Sequence, residues 1–185
     1  MQRMSGLLVG AVFGAVFVVV NAQEPLGGPV AAVLRVLACL AAASVVAMWF
    51  VAVRRERPVR ERGGPNMFGK GYLVVVAAEA VLLFGGLRVL AALGVPAQAN
   101  VAWVAFVVGV HFVALAPVWK DWAIAVPGAV LTALGVAGLV MAATAGLAWV
   151  PFVSGVLSGA VLLAGSVTFG WRAIRSAPAG VPVRA

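Results

Sequence analysis

Charged residues are scarce in this 185-residue sequence: they make up 10% of it, against 64% for hydrophobic residues. A soluble domain is about a quarter charged, so this chain has too few charges to cover a surface in water. The single cysteine, Cys39, excludes an intrachain disulfide, and with only one histidine beside it a Cys/His metal cluster is excluded as well. The sequence therefore does not fit a soluble enzyme or a disulfide scaffold, and it predicts no metal and no cofactor.

In place of charge, the sequence has six apolar stretches long enough to cross a bilayer as helices. About 20 residues, each rising about 1.5 Å, span the hydrocarbon. The stretches are apolar on every side, whereas the strands of a membrane barrel alternate polar and apolar residues. They cover residues 4–20, 30–53, 71–94, 101–119, 122–143 and 148–171. The prediction is an all-α polytopic membrane domain over residues 1–171, with six transmembrane helices in three hairpins, followed by a basic tail over 172–185.

The basic residues predict the orientation of this domain. The net charge is +8, but no nucleic-acid-binding motif accompanies it, so nucleic acid is not an expected partner. Most of the basic residues fall on one side of the predicted membrane: Arg3, the six in the loop 54–70, Lys120, Arg172, Arg175 and Arg184. The positive-inside rule then predicts that both termini are cytoplasmic. The first span also has features of a secretory signal, but it is long for one, which favours its retention.

Two ionisable residues within the spans are candidates for chemistry. Glu79 and His111 lie on consecutive helices of one predicted hairpin, both near the middle of the membrane. Ionisable side chains are costly in hydrocarbon, so each is a functional hypothesis. Tyr72 lies seven residues before Glu79 and therefore on the same helix face. The sequence predicts that Glu79 and His111 form a pair that holds or relays a proton, with Tyr72 on the helix face that points into the bundle; the alternative is a structural polar clasp between two helices.

Two arginines, Arg35 and Arg88, also lie within the spans, on the outer side of the membrane midplane. Their functional interpretation is an outward vestibule in which the two guanidinium groups hold an anionic group. The alternative is that both side chains extend to the outer lipid headgroups. Glu79 and Arg88 are nine residues apart, about half a turn around the helix, and are not expected to pair.

Two further features bear on partners. Glycines recur every four residues at Gly6, Gly10 and Gly14 and again at Gly155 and Gly159. Such spacing lets helix backbones approach closely, either within the chain or in a homo-oligomer. The basic loop 54–70 sets the topology and also suits anionic lipid or a cytoplasmic partner.

One stretch carries a resemblance. The run from Gly109 to Ala116, with the pattern Gly-x-His-Phe-x-x-Leu-Ala, resembles small, poorly characterised multi-spanning bacterial membrane proteins. The resemblance implies that His111 is a family feature and assigns no activity. Together with the excess of arginine over lysine, it indicates the plasma membrane of a bacterium, where the protein is multi-pass.

Three functions are open at this stage. The sequence favours a small transporter or transport subunit, with Glu79, His111, Arg88, Arg35 and Tyr72 as binding residues. A non-catalytic scaffold or accessory protein comes second. An intramembrane enzyme with Glu79 as acid or base comes third, because the spans supply few polar groups that could converge, and no catalytic residue is assigned.

Overall fold

The computed structural model describes residues 2–55 and 69–175. These ranges are helical and contain no strand, so the prediction of an all-α fold is confirmed. The helices are α1 (Gln2–Asn21), α2 (Gly28–Arg55), α3 (Lys70–Ala92), α4 (Gln98–Trp119), α5 (Ala125–Ala142) and α6 (Leu157–Arg175). A 3₁₀ turn (Trp122–Ile124) precedes α5, and a 3₁₀ turn (Leu147–Trp149) and a π-helical turn (Pro151–Val156) precede α6.

Helix length and composition make this an integral membrane protein with several spans. Five helices, α2 to α6, are long and apolar enough to cross a membrane when α5 and α6 are taken with the turns before them. The first helix, α1, is also apolar, but its part from Gly6 to Asn21 is shorter than the others. Most of the predicted basic loop, residues 56–68, and most of the predicted tail, residues 176–185, lie outside the described residues.

The sequence ends two of the helices with the same backbone motif. After α3, Gly94 adopts a left-handed conformation (φ +66°), and the Val95 N–H donates to the carbonyl of Leu90 at 3.0 Å. After α4, Lys120 takes the left-handed position (φ 53°), and the Asp121 N–H donates to the carbonyl of Ala116 at 3.0 Å. Both are Schellman caps, which satisfy the last carbonyls of a helix and reverse the chain. They fix α3–α4 and α4–α5 as antiparallel hairpins.

Helix α6 lies at the centre of the bundle, where it packs against α1, α2 and α5. Its contact with α1 is close because glycines meet: a Cβ added at Gly14 would lie 2.9 Å from the carbonyl oxygen of Gly159. A Cβ added at Gly10 would lie 2.9 Å from the hydroxyl oxygen of Ser166. Gly10, Gly14 and Gly159 therefore pack within the chain, as small-residue motifs do between membrane helices, whereas a Cβ added at Gly6 would have no atom within 4 Å.

The contact between α4 and α5 is the most extensive in the bundle. Gly109 of α4 faces the backbone of α5, and a Cβ there would lie 2.7 Å from the Gly128 carbonyl oxygen. Gly135 of α5 faces Phe106 of α4, with 2.6 Å between an added Cβ and the Phe106 Cα. These glycines let the two backbones touch, which leaves no room for side chains between them.

Helix α3 is attached differently. It packs extensively against α4 and against no other described helix, and none of its residues is fully buried. Both candidate ionisable residues lie at this contact, Glu79 on α3 and His111 on α4. The fold therefore places them at the side of the bundle and not at its centre.

Candidate functional site

The structure brings Glu79 and His111 together. The Nδ1 atom of His111 lies 2.9 Å from the Oε2 atom of Glu79. Both side chains are largely shielded, with exposed fractions of 13% for His111 and 24% for Glu79. The ring is turned so that this contact does not have the geometry of a hydrogen bond, and Nδ1 has no hydrogen-bond partner among the described residues. At this distance, a rotation of the ring that aligns Nδ1 with the carboxylate would let one proton be shared between the two groups.

Contacts of aromatic residues flank this pair along the α3–α4 interface. Towards the start of α3, Tyr72 stacks on Trp119 with ring centroids 6.0 Å apart and an angle of 15° between the planes. Towards its end, the indole of Trp103 lies directly over Gly86, and its Nε1–H donates to the carbonyl of Leu82 at 3.1 Å. The three contacts are about two helical turns apart, which places the ionisable pair between two aromatic contacts.

A pocket of about 140 Å³ opens between α3 and α4 beside the pair. Glu79 and His111 are its polar lining residues. The others are aliphatic, from α3 and α4 only: Val74, Val75, Ala78, Leu82, Val107, Val110 and Ala114. Tyr72 does not line this pocket. The arrangement can hold a proton, or a small group carrying one charge, in surroundings that are otherwise apolar. We call it the interface pocket.

Arg35 is engaged with the end of α1. Its Nε donates to the carbonyl of Val19 at 3.1 Å, and its Nη2 donates to the carbonyl of Ala22 at 2.6 Å. These carbonyls have no donor within their own helix, and a cation at a helix C-terminus is favoured by the helix dipole. In this structure the Arg35 guanidinium therefore serves as a C-terminal cap for α1.

Arg88 lies apart from both the ionisable pair and Arg35. It is exposed on α3, with no hydrogen bond or ion pair to any described residue. A second pocket of about 240 Å³ lies where the α1–α2 and α3–α4 links meet the start of the π-helical turn. Its lining includes three amide side chains and neither arginine: Asn21, Gln23, Ala97, Gln98, Val101 and Pro151. The structure thus does not bring the two arginines together at one vestibule.

Reasoning from the sequence missed the contacts of Trp103 and Trp119 with α3. Tryptophan is common at the edges of the membrane, so this residue type alone does not indicate a contact between helices. Their spacing of eight residues on either side of His111 was the available signal. It is within one residue of the spacing of Tyr72, Glu79 and Gly86 on α3, where neighbours are seven residues apart.

Comparison with family models, with curated protein sequences and with solved structures gives no match.

Proposed function

We propose that this chain is a small transporter or transport subunit in the bacterial plasma membrane, and that Glu79 and His111 hold and release the transported or coupled proton. The observation that carries the proposal is the 2.9 Å contact between the two side chains beside a pocket. A carboxyl and an imidazole within membrane-spanning helices are costly, and residues of this kind usually serve a function there. A pair that shares one proton is the simplest device for moving a proton through an apolar region.

The topology that goes with this function has six spans and cytoplasmic termini. The count includes α1, because its glycines pack against α6 as closely as an integral part of the bundle would. The orientation follows from the basic residues, which include Lys70, Lys120, Arg172 and Arg175 at the end of the bundle where α3 begins and α4 and α6 end. Glu79 is then near the middle of the membrane.

A second function, that of a non-catalytic scaffold, is favoured by a different observation. Helix α3 is held mainly by its contacts with α4, and the Glu79–His111 contact is one of them. A polar contact of this kind contributes about 0.6–2 kcal/mol in membrane proteins. In this function the pair fastens α3 in place and no proton moves.

Proton flux into vesicles distinguishes the two functions. The purified protein is reconstituted into liposomes that contain a pH-sensitive dye, and a pH gradient is imposed with the membrane potential clamped. We expect wild-type vesicles to acidify faster than protein-free vesicles, and Glu79→Gln to reduce the rate to the protein-free level, because an amide cannot release a proton. The matched control is Glu24→Gln, which neutralises an exposed carboxylate in the α1–α2 link and should retain the wild-type rate.

Two results would contradict the transport proposal. One is a wild-type rate equal to that of protein-free vesicles, and the other is an undiminished rate in Glu79→Gln. If neither the wild type nor either variant moves protons, and Glu79→Gln only lowers the stability of the fold, the scaffold function replaces transport.

A further inference from the structure

The charge of the Glu79–His111 pair restricts what can occupy the interface pocket. With one proton on the pair, on either residue, its net charge is zero; without that proton, the charge is −1. No other residue of α4 is titratable, and on α3 Lys70 and Tyr72 lie two turns or more away towards one end. Arg88 lies about 13 Å away along the axis and on the opposite face. A net charge is costly in hydrocarbon, so release of the proton favours a monovalent cation in its place.

The lining of the interface pocket indicates what kind of cation this is. Inorganic cations replace their hydration shell with several oxygen ligands. Apart from the Glu79 carboxylate, the side chains that line the pocket are an imidazole and aliphatic groups. These supply one anionic group and an apolar wall, which suits an organic cation with a hydrocarbon body.

The position of the pocket indicates the route of entry. All its lining residues belong to α3 and α4, and α3 has no extensive contact with a third described helix. On the α3 side, Val74 is 67% exposed and Leu82 is 47% exposed. The pocket therefore opens at the flank of the bundle, where hydrocarbon surrounds a membrane protein. A ligand that arrives this way has to partition into the bilayer.

We propose that the interface pocket binds a monovalent lipophilic organic cation in exchange for the single proton of the Glu79–His111 pair. This inference rests on the proposed transport function and names the class of its substrate. The exchange makes and breaks no covalent bond other than the one to the proton. One cation enters beside the Glu79 carboxylate, one proton leaves to water, and the charge of the site is unchanged.

Calorimetry with benzyltrimethylammonium tests the exchange on the full-length protein in lipid nanodiscs. Titration in two buffers of different ionisation enthalpy gives the number of protons released on binding. We expect proton release on binding, reaching about one proton per bound cation at the pH where the unliganded pair holds its proton, and binding weakened about tenfold or more in Glu79→Gln. Glu24→Gln should bind as the wild type does. Neopentylbenzene, the uncharged compound of the same shape, should release no proton.

A second measurement on the wild-type protein does not depend on the folding of a variant. Dicyclohexylcarbodiimide modifies protonated carboxyl groups in apolar surroundings, and mass spectrometry locates the adduct. We expect labelling at Glu79 and protection by saturating benzyltrimethylammonium, but no protection by neopentylbenzene. Equal protection by both compounds would overturn the proposal, because it would show that the pocket selects for shape and not for charge.

The inference and the proposed function fail in different ways. If wild-type vesicles carry protons but the protein does not bind the cation, or binds it without releasing a proton, the inference is overturned and proton transport stands. If the cation binds with release of one proton but no proton flux is seen even with benzyltrimethylammonium on the opposite side of the vesicle membrane, the exchange site stands and the transport function fails.

Discussion

The contact between α4 and α5 and the contact between α3 and α4 join helices in opposite ways. Between α4 and α5, glycines bring the backbones together, as at Gly109 and Gly135. Between α3 and α4, side chains make the contact, as in the Glu79–His111 pair and in the Trp103 indole over Gly86, and no residue of α3 is fully buried. Lipid is as apolar as the helices, so membrane helices associate through close packing or through polar contacts. Here each contact relies on one of the two, and the ionisable chemistry lies at the looser one.

The largest expected effect comes from adding a methyl group where the backbones touch. In Gly109→Ala the new Cβ would lie 2.7 Å from the Gly128 carbonyl oxygen and still closer to the Thr132 backbone. Because backbone atoms cannot move aside, we expect a loss of about 3 kcal/mol or more in the free energy of unfolding. Unfolding by SDS in mixed micelles measures it. The control is Gly85→Ala on α3, which has open space around it and should gain up to about 1 kcal/mol. Equal changes in the free energy of unfolding at Gly109 and Gly85 would contradict the difference in packing between the two contacts.

An intermediate effect is expected at the glycine beside Gly85. A Cβ at Gly86 would overlap the Trp103 indole, which is a side chain that can swing away. Gly86→Ala should therefore cost about 1–2 kcal/mol, less than Gly109→Ala, and should break the hydrogen bond from Trp103 to Leu82. Trp103→Phe removes that bond without adding a methyl group, so we expect a smaller loss from it. A cost at Gly86 that matches Gly109→Ala would show the α3–α4 interface to be as rigid as the α4–α5 contact.

The smallest effect is expected from a single hydrogen bond within the close-packed interior. The hydroxyl of Ser154, in the π-helical turn, donates to the carbonyl of Leu134 on α5 at 2.8 Å. Ser154→Ala should cost about 0.6 kcal/mol, the average for such bonds in a membrane protein. The hydroxyl of Ser158 is equally buried but has no hydrogen-bond partner within residues 2–55 and 69–175, so Ser158→Ala should be neutral or slightly stabilising. The same SDS titration checks both variants. A greater loss of unfolding free energy in Ser158→Ala than in Ser154→Ala would contradict the assignment of the hydrogen bond to Ser154.

The helices were predictable because a membrane imposes a simple rule on length and composition. The expected spans over 71–94 and 122–143 coincide with α3 (Lys70–Ala92) and with the segment Trp122–Ala142 to within two residues. The proximity of Glu79 and His111 was also predictable. Two neighbouring helices joined by a short link have to be antiparallel, and the rise per residue then fixes which positions are level.

The contacts that the sequence did not reveal involve groups with no sequence signature. Arg35 binds backbone carbonyls, which every residue carries, so no residue type marks its partner. The central position of α6 depends on how three hairpins pack against one another, and apolar runs are alike in that respect. The position of the Trp103 indole over Gly86 depends on how α3 and α4 cross and on the lack of a side chain at Gly86.

The capping of α1 by Arg35 has a consequence for how the protein enters the membrane. Arg35 lies seven residues into α2, and a lone helix would present its guanidinium to lipid. The end of α1 would likewise present bare carbonyls. The guanidinium of α2 thus satisfies the carbonyls of α1, and the cost of exposing either group to lipid is offset only when both helices are present. The first hairpin should therefore leave the translocation machinery as a pair, with α1 held back until α2 has been made.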